Sequence, residues 1–462
     1  MGDSRNGDPY QTLAAQFSGQ LVRPDDDQFD EVRALHNAMI DLRPALVARC
    51  ATTEDVRAAI AYATASDLEV AMRCGGHSVA GMSSAEGGVV IDMRPMNTVV
   101  IDPTARTARV GGGATWGDFD RAGQPHGLAT TGGRVSTTGV AGFTLSGGSG
   151  WIERQHGLAC DNLISVNLLL ADGSEVTASR ADHPDLFWAL HGGGGNFGVA
   201  TSFEFALHSV GTEVLAGLLM WPADAAPDVC AAYSAFATDA PEAVGSAVAL
   251  LTAPAEDFVP EHLRGHLVCA VVFCHNGHLS QGEEILEPLR KLGAEADLVA
   301  PVPYADFQSM FDEAPGRRNY WSAEHVAAFD ERVVGAFLAA SDVVSPLASI
   351  YMIPWGGAVA RASDTETPMA TRDAPWVCHP FGVWESAADD NVNVAWVRGA
   401  IAHMRPFSTG STYLNFIGDE GADRVRAAFG ASFDRLCAVK AEYDPANVFH
   451  RNQNIRPVAI LS

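Results

Sequence analysis

The segment Arg73-Cys74-Gly75-Gly76-His77-Ser78 follows a β-type run, and its consecutive glycines let backbone N–H groups turn inward as a nest for an anion such as a diphosphate. A plain Gly-Gly turn carrying a surface histidine is the competing reading of this motif by itself. A second concentration of glycine runs from 111 to 198 and includes Gly132, Gly133, Gly139, Gly142, Gly147, Gly148, Gly150 and the run 192–195. Glycine at this density lets a planar or phosphorylated ligand approach the main chain closely. Gly193, Gly195 and Gly198 also fit G-x-G-x-x-G, but a helix-like stretch precedes them and a strand-like one follows. A dinucleotide fingerprint needs the reverse order, so that phosphate meets a helix N-terminus, and the Rossmann reading is rejected.

Other chemistries find little support. Neither H-E-x-x-H, G-x-S-x-G nor G-x-x-x-x-G-K-[ST] occurs, which leaves the commonest zinc, serine-hydrolase and P-loop mechanisms without a signature. The only lysines, Lys291 and Lys440, lie outside the Gly-rich runs, so a P-loop or a Schiff-base cofactor is hard to place. The 8 cysteines are scattered, with Cys269 and Cys274 the closest pair, and read as buried reduced thiols rather than disulfides. No metal site is expected. Glu283-Glu284 and Asp389-Asp390 look like solvated helix faces or caps rather than acid–base pairs.

The charge balance narrows the partners. Asp and Glu number 56 against 30 Lys and Arg, a formal net charge of −26 that repels phosphate backbones and anionic membranes. Nucleic acid and membrane partners are therefore not expected. The amino-terminal residues lack an apolar core of signal-peptide length, and no run of about 18 apolar residues follows, so a cytoplasmic protein is expected. With 462 residues, 47% of them hydrophobic, the chain is long enough for about two to three packed units.

The elements that must position the glycines can be read from periodicity. Residues 45–50 and 68–74 read as strands around an amphipathic helix that starts at Thr52-Thr53-Glu54-Asp55. Short β runs follow at 88–92, 98–102 and 107–110, which suggests a mixed α+β sheet rather than repeated βαβ units. Ala171-Asp172-Gly173-Ser174 reads as a hairpin turn, residues 183–191 as a short helix and 197–207 as a strand. Beyond about 212, apolar strand candidates at 214–221, 247–251, 267–274, 350–355 and 377–384 alternate with helical patterns at 281–292 and 391–403. This pattern predicts a second α+β unit on an antiparallel sheet with a face to offer a substrate.

Taken together and in order, several segments resemble the berberine-bridge-enzyme-like branch of the vanillyl-alcohol-oxidase flavoprotein family. They are residues 73–77, 132–151, His156-Gly157-Leu158-Ala159-Cys160-Asp161-Asn162, His183-Pro184-Asp185-Leu186-Phe187-Trp188, 192–199, Tyr413-Leu414-Asn415-Phe416 and 443–455. Collinearity over nearly the whole chain is far more specific than any one motif. The resemblance implies a two-domain α+β fold with a discontinuous FAD-binding domain at about 1–211 and 421–462, and an antiparallel-sheet substrate domain at about 212–420.

The resemblance also implies FAD tethered through its 8α carbon to a histidine, and His77 occupies that position. Arg73, Gly75, Gly76, Ser78, Gly132, Gly139, Gly142, Gly148, Val199, Asn415, Asn452 and Asn454 are the expected cofactor-binding residues. Many members carry a second, cysteinyl tether, but Val135 stands at that position, and Cys160 lies downstream of it, so a single covalent bond is expected. Thr138 falls at the small gatekeeper position that governs access of O₂ to the flavin. A covalent imidazole would raise the flavin's potential and ease hydride acceptance.

The implied reaction is an oxidation in which hydride passes from a small organic or natural-product substrate to FAD, with O₂ restoring the flavin and yielding H₂O₂. Tyr413 is the first candidate for the accompanying base, with Arg405 and His403 as possible helpers, whereas Phe416 replaces a tyrosine common in the family. His379, on a predicted strand beside Val377 and Phe381, reads more readily as a core or rim histidine than as a catalytic one. Trp221, Tyr351, Trp355, Phe381 and Trp384 suggest an apolar or aromatic ligand. Three alternatives stay open: an oxygenase working through an oxygenated flavin, a dehydrogenase, and an inactive small-molecule-binding protein on the same fold.

Overall fold

The computed structural model describes residues 8–363, 365–370 and 372–458. Its first sheet has the order Gln20–Val22, Leu46–Arg49, Val89–Asp92, Val70–Arg73. Leu46–Arg49 and Val70–Arg73 both run parallel to Val89–Asp92, and the helix Thr53–Ala65 joins them. This stretch is therefore a single βαβ crossover, and with Gln20–Val22 antiparallel to Leu46–Arg49 the sheet is mixed, as the sequence suggests. Sequence accounts for it locally. Thr52 and Asp55 form a reciprocal capping box at the helix start, and Val89–Asp92 is buried along its whole length, with Val89, Val90 and Ile91 the consecutive apolar residues that parallel strands carry. Val70–Arg73 ends where the Gly75-Gly76-His77 turn begins, so the sheet aims that turn outward from its edge.

A second, antiparallel sheet runs Val99–Asp102, Thr107–Gly111, Val199–Ala206, Leu163–Leu169, Glu175–Ser179. Its hairpin at 171–174 turns through Gly173 at φ +83°, a conformation in which only glycine is unstrained. The short helix Pro184–Ala189 and the loop 192–198 then lead into Val199–Ala206.

From Val214 to Trp384 the chain builds a larger antiparallel sheet, in which Val214–Pro222, Leu267–His275, Val244–Thr252, Ser349–Pro354 and Trp376–Trp384 are successive neighbours. The helices Ala226–Asp239 and Glu331–Ala339 contribute Val229, Tyr233, Val333 and Phe337 to the core on one face. The other face sends Ala247, Ile353 and Val377 into the core that also holds Trp116, Phe119 and Phe205. Several elements escaped the periodicity reading, among them the helix Ala226–Asp239, whose alanines blur its pattern, and the strand Arg318–Trp321, which alternates too briefly to register. After the helix Asp390–Met404 the chain returns to the first half, where Phe433–Tyr443 packs on Pro184–Ala189. Among the described residues no helix is long and apolar enough to cross a membrane, and no group of three or more His, Cys, Asp or Glu could hold a metal.

Candidate active site

The face of the large sheet opposite its helices Ala226–Asp239 and Glu331–Ala339 and the Gly-rich half enclose a cavity of about 650 Å³. On the Gly-rich side its wall is built by backbone packed on backbone. A Cβ at Gly75 would lie 2.4 Å from Gly139 N, and one at Gly139 would lie 2.4 Å from Cys74 Sγ, so neither position tolerates a side chain. Gly142 differs, since no atom lies within 4 Å of where its Cβ would be, and its bare face borders the cavity. Arg73, Gly75, Gly76, His77, Ser78, Val135, Thr138, Gly139, Gly142, Val199, Asn415 and Asn452 all line the cavity.

Tyr413 and three of the expected cofactor-binding residues, Gly132, Gly148 and Asn454, do not. Tyr413 is fully buried and turned away from the cavity, and its hydroxyl accepts hydrogen bonds from Gly148 N at 2.7 Å, Ser149 N at 2.9 Å and Asn415 Nδ2 at 3.0 Å. Burial drives its pKa upward, against the direction a base requires, so Tyr413 braces the 147–149 turn and the assignment as base is withdrawn. Gly148, at φ +97°, is glycine because a Cβ would meet Ala159 Cβ at 2.4 Å. Gly132 sits under Trp116, whose ring would stand 2.8 Å from a Cβ. Asn454 lies off the cavity with Oδ1 buried and unpartnered among the described residues. His403 and Arg405 are exposed and Cys160 lies in the core, none of them at the cavity.

His77 pairs through Nε2 with Thr137 Oγ1 at 2.9 Å, and its ring stacks on His36 with centroids 4.0 Å apart. Burial first, and the neighbouring His36 second, push its pKa down to about 3, so the imidazole is neutral at physiological pH. The Cys74 thiol, also on the cavity wall, donates to Ala114 O at 3.2 Å and is pushed up to about 11 by burial, which leaves it a protonated, weak nucleophile. Arg73 is committed to the structure: its guanidinium donates to the carbonyls of Val32 and Ala34.

Opposite these groups the large sheet presents aromatic rings. Trp321 stacks on Phe381 at 4.3 Å, and His379 stacks on Phe416 at 4.1 Å. Tyr351 completes this wall, whereas Trp221, Trp355 and Trp384 belong to the core. His379 is thus part of the site, which its place on an apolar strand concealed. Its Nδ1 lies 2.9 Å from Ser322 O, and because a carbonyl only accepts, Nδ1 carries the proton and Nε2 is left as an acceptor. Burial lowers its pKa to about 4. Glu313 and His36, from loops without periodicity, also line the cavity.

The site's residues fit a planar, phosphorylated cofactor. Gly142 offers an open face, Asn452 Oδ1 is buried without a partner among the described residues, and a neutral histidine stands beside them. Known proteins agree. A model described as FAD binding domain matches residues 44–179, and one described as berberine and berberine like matches residues 412–456. The chain is 31% identical over 472 residues to (R)-6-hydroxynicotine oxidase of Paenarthrobacter nicotinovorans, covering 96% of this chain and 97% of that one. The crystal structure of 6-hydroxy-D-nicotine oxidase from Arthrobacter nicotinovorans superposes with a TM-score of 0.86 at 28% identity, over 95% of this chain and 98% of that one. Berberine bridge enzyme from Eschscholzia californica shares the fold, with a TM-score of 0.85 at 20% identity over 98% of this chain and 100% of that one. Matched along nearly its whole length by such an oxidase, the chain belongs to the berberine-bridge-enzyme-like branch of the vanillyl-alcohol-oxidase family and is an FAD-linked oxidoreductase.

Proposed function

We propose that the protein oxidises a small organic molecule with an aromatic or apolar body, using FAD attached to His77 and O₂ as the final acceptor. The observation that carries this reading is the continuity of one cavity from the 73–78 turn to the Trp321, Phe381 and Tyr351 wall. When bound, FAD supplies a two-electron acceptor for hydride and a centre that O₂ restores with release of H₂O₂. The chain's own residues do the rest. The 75–78 turn, Gly139, Gly142, Asn415 and Asn452 hold the cofactor by close main-chain approach and amide contacts.

His77 suits a covalent tether because its neutral ring, with Nε2 engaged by Thr137, leaves Nδ1 free of any hydrogen bond among the described residues. Val135 has no group to form a second bond, and the protonated Cys74 thiol makes that residue a poor substitute. Thr138, short and half-buried on the cavity wall, leaves room for O₂. His379 Nε2 accepts a substrate O–H or N–H hydrogen and so orients the carbon that loses hydride.

The test is fluorescence of the denatured protein on a gel beside its His77→Ala variant, followed by peroxide detection with aromatic substrates. Fluorescence that survives denaturation and vanishes in the variant is the expected result. Persistence without His77 would overturn the tether, and bleaching of the flavin by substrate without peroxide would assign a dehydrogenase.

A further inference from the structure

The segment between the helix Tyr304–Gln308 and the strand Arg318–Trp321 runs as a strap along the cavity, and it is pinned on both sides of Glu313. Asp312 accepts from Ser136 N at 2.6 Å and Ser136 Oγ at 2.5 Å, which ties the strap to the turn that carries Val135 and Thr138. Gly316 N donates to His36 O at 3.3 Å and Ala38 N to Arg317 O at 2.9 Å, which tie its other end to the loop that stacks on His77. Glu313 is thus held at a fixed place on the wall.

Most charges around the cavity are already spent on the protein. Arg73 serves main-chain carbonyls, Arg134 pairs with Glu153 at 3.1 Å, Asp312 holds Ser136, and Arg451 donates to Ser84 O at 2.7 Å. Glu313 stands apart, since its Oε2 is buried without a hydrogen-bond partner among the described residues. Arg317, which also lines the cavity, acts on it through space but forms no ion pair with it among the described residues. The indole N–H of Trp321, on the same wall, is likewise buried and unpartnered. A carboxyl left this way is costly unless a ligand supplies the missing donor. Aromatic faces beside it, Trp321 and Tyr351, favour a cation over a neutral donor, and the net charge of −26 draws cations toward the protein.

We propose that Glu313 is a specificity-determining residue that receives the protonated amine of a substrate whose apolar or aromatic body rests against Trp321, Phe381 and Tyr351. The assignment rests on the oxidase reading for the fate of that substrate, but binding alone tests it. Burial raises the Glu313 pKa to about 7 against the lowering influence of Arg317, so the carboxylate is ionised at pH 8. Asp312 and Tyr351 are the other ionisable groups beside it.

The experiment is calorimetry on the flavin-loaded protein at pH 8 under anaerobic conditions, with benzylamine, a cation at this pH, and the neutral benzyl alcohol of equal size as probes. Wild type should bind benzylamine about tenfold or more tighter than benzyl alcohol, and Glu313→Gln should erase that difference while leaving the alcohol within about twofold. Wild-type preference for the alcohol, or no binding of the amine, overturns the proposal without any variant. Equal loss of both probes in Glu313→Gln, or no change in either, also overturns it. Glu313→Asp, which keeps the charge on a shorter arm, should retain part of the preference. The oxidase reading fails by a different sign, the lack of flavin absorbance or of peroxide.

Discussion

Lys440 donates from Nζ to the main-chain carbonyl of Asn196 at 2.5 Å, joining the last long helix to the loop that follows glycines 192–195. The same ammonium donates to Asp444 Oδ2 at 2.6 Å and to Phe449 O at 2.9 Å, and both charged side chains are fully buried. Asn196 answers by accepting from Ile455 N at 2.9 Å and donating to Gln453 O at 3.2 Å. The carboxy-terminal tail that carries Asn452 is therefore fastened to the Gly-rich loop through one buried cation and one amide.

Replacing Lys440 with Met leaves Asp444 buried and uncompensated, a loss of about 3–5 kcal/mol. Urea unfolding of Lys440→Met should show a lowered midpoint, and the variant should release any non-covalent flavin during gel filtration more readily than wild type. Unchanged stability would mean that the buried pair is replaceable by apolar packing.

Tyr413→Phe removes the acceptor shared by Gly148 N, Ser149 N and Asn415 Nδ2. Buried donors left unpaired cost about 1–3 kcal/mol, so the variant should melt earlier and hold the cofactor less firmly. The pH dependence of kcat should keep its shape. A shifted pH profile with intact stability would restore Tyr413 as the base.

His379→Ala removes a cavity imidazole whose tautomer is fixed by a main-chain carbonyl. It should lower kcat/KM by about 100-fold while flavin absorbance stays at the wild-type ratio to protein. Loss of flavin in step with activity would mark His379 as a packing residue.

Asp120 is fully buried, with Oδ2 3.4 Å from Gln308 Nε2, and burial raises its pKa from 3.8 to about 8 in spite of Gln308 and Arg121. The folded protein thus keeps a proton that the unfolded chain releases near 3.8. This contribution to stability is fully present below that value and is lost as pH rises through about 8, at up to about 1.4 kcal/mol per pH unit. Asp120→Asn keeps the shape of the neutral acid without the proton, so its stability relative to wild type should increase from pH 5 to pH 8 in thermal melts. An unchanged difference would show that Asp120 is ionised in the fold.

Some assignments were legible without a structure because the residues announce their own backbone. Gly75, Gly139 and Gly142 line the cavity since close main-chain approach needs a missing Cβ, and a glycine states that need in the sequence. Others misled for the same local reason. Gly132 and Gly148 also lack a Cβ, but there the space is filled by Trp116 and Ala159 rather than by a ligand. No local signal separates the two uses of glycine.

The sequence by itself determined the family, the Gly-rich wall, the neighbourhood of His77 and the absence of the commonest hydrolytic signatures, because these depend on residue type and order along the chain. Only the tertiary structure decided which side chains face the cavity. Tyr413 and Asn415 are two apart, yet residues Leu414–Phe416 turn as a 3₁₀ helix, so alternation fails and only Asn415 reaches the site. Asn452 and Asn454 part in the same way on a bent tail. Glu313, Trp321, His379 and His36 come from separate stretches of chain, and strand pairing and the Asp312–Ser136 bridge bring them together. Burial after that assembly, with smaller contributions from neighbours such as His36 and Arg317, shifts the pKa values of His77, His379 and Glu313 away from those the residues carry by type.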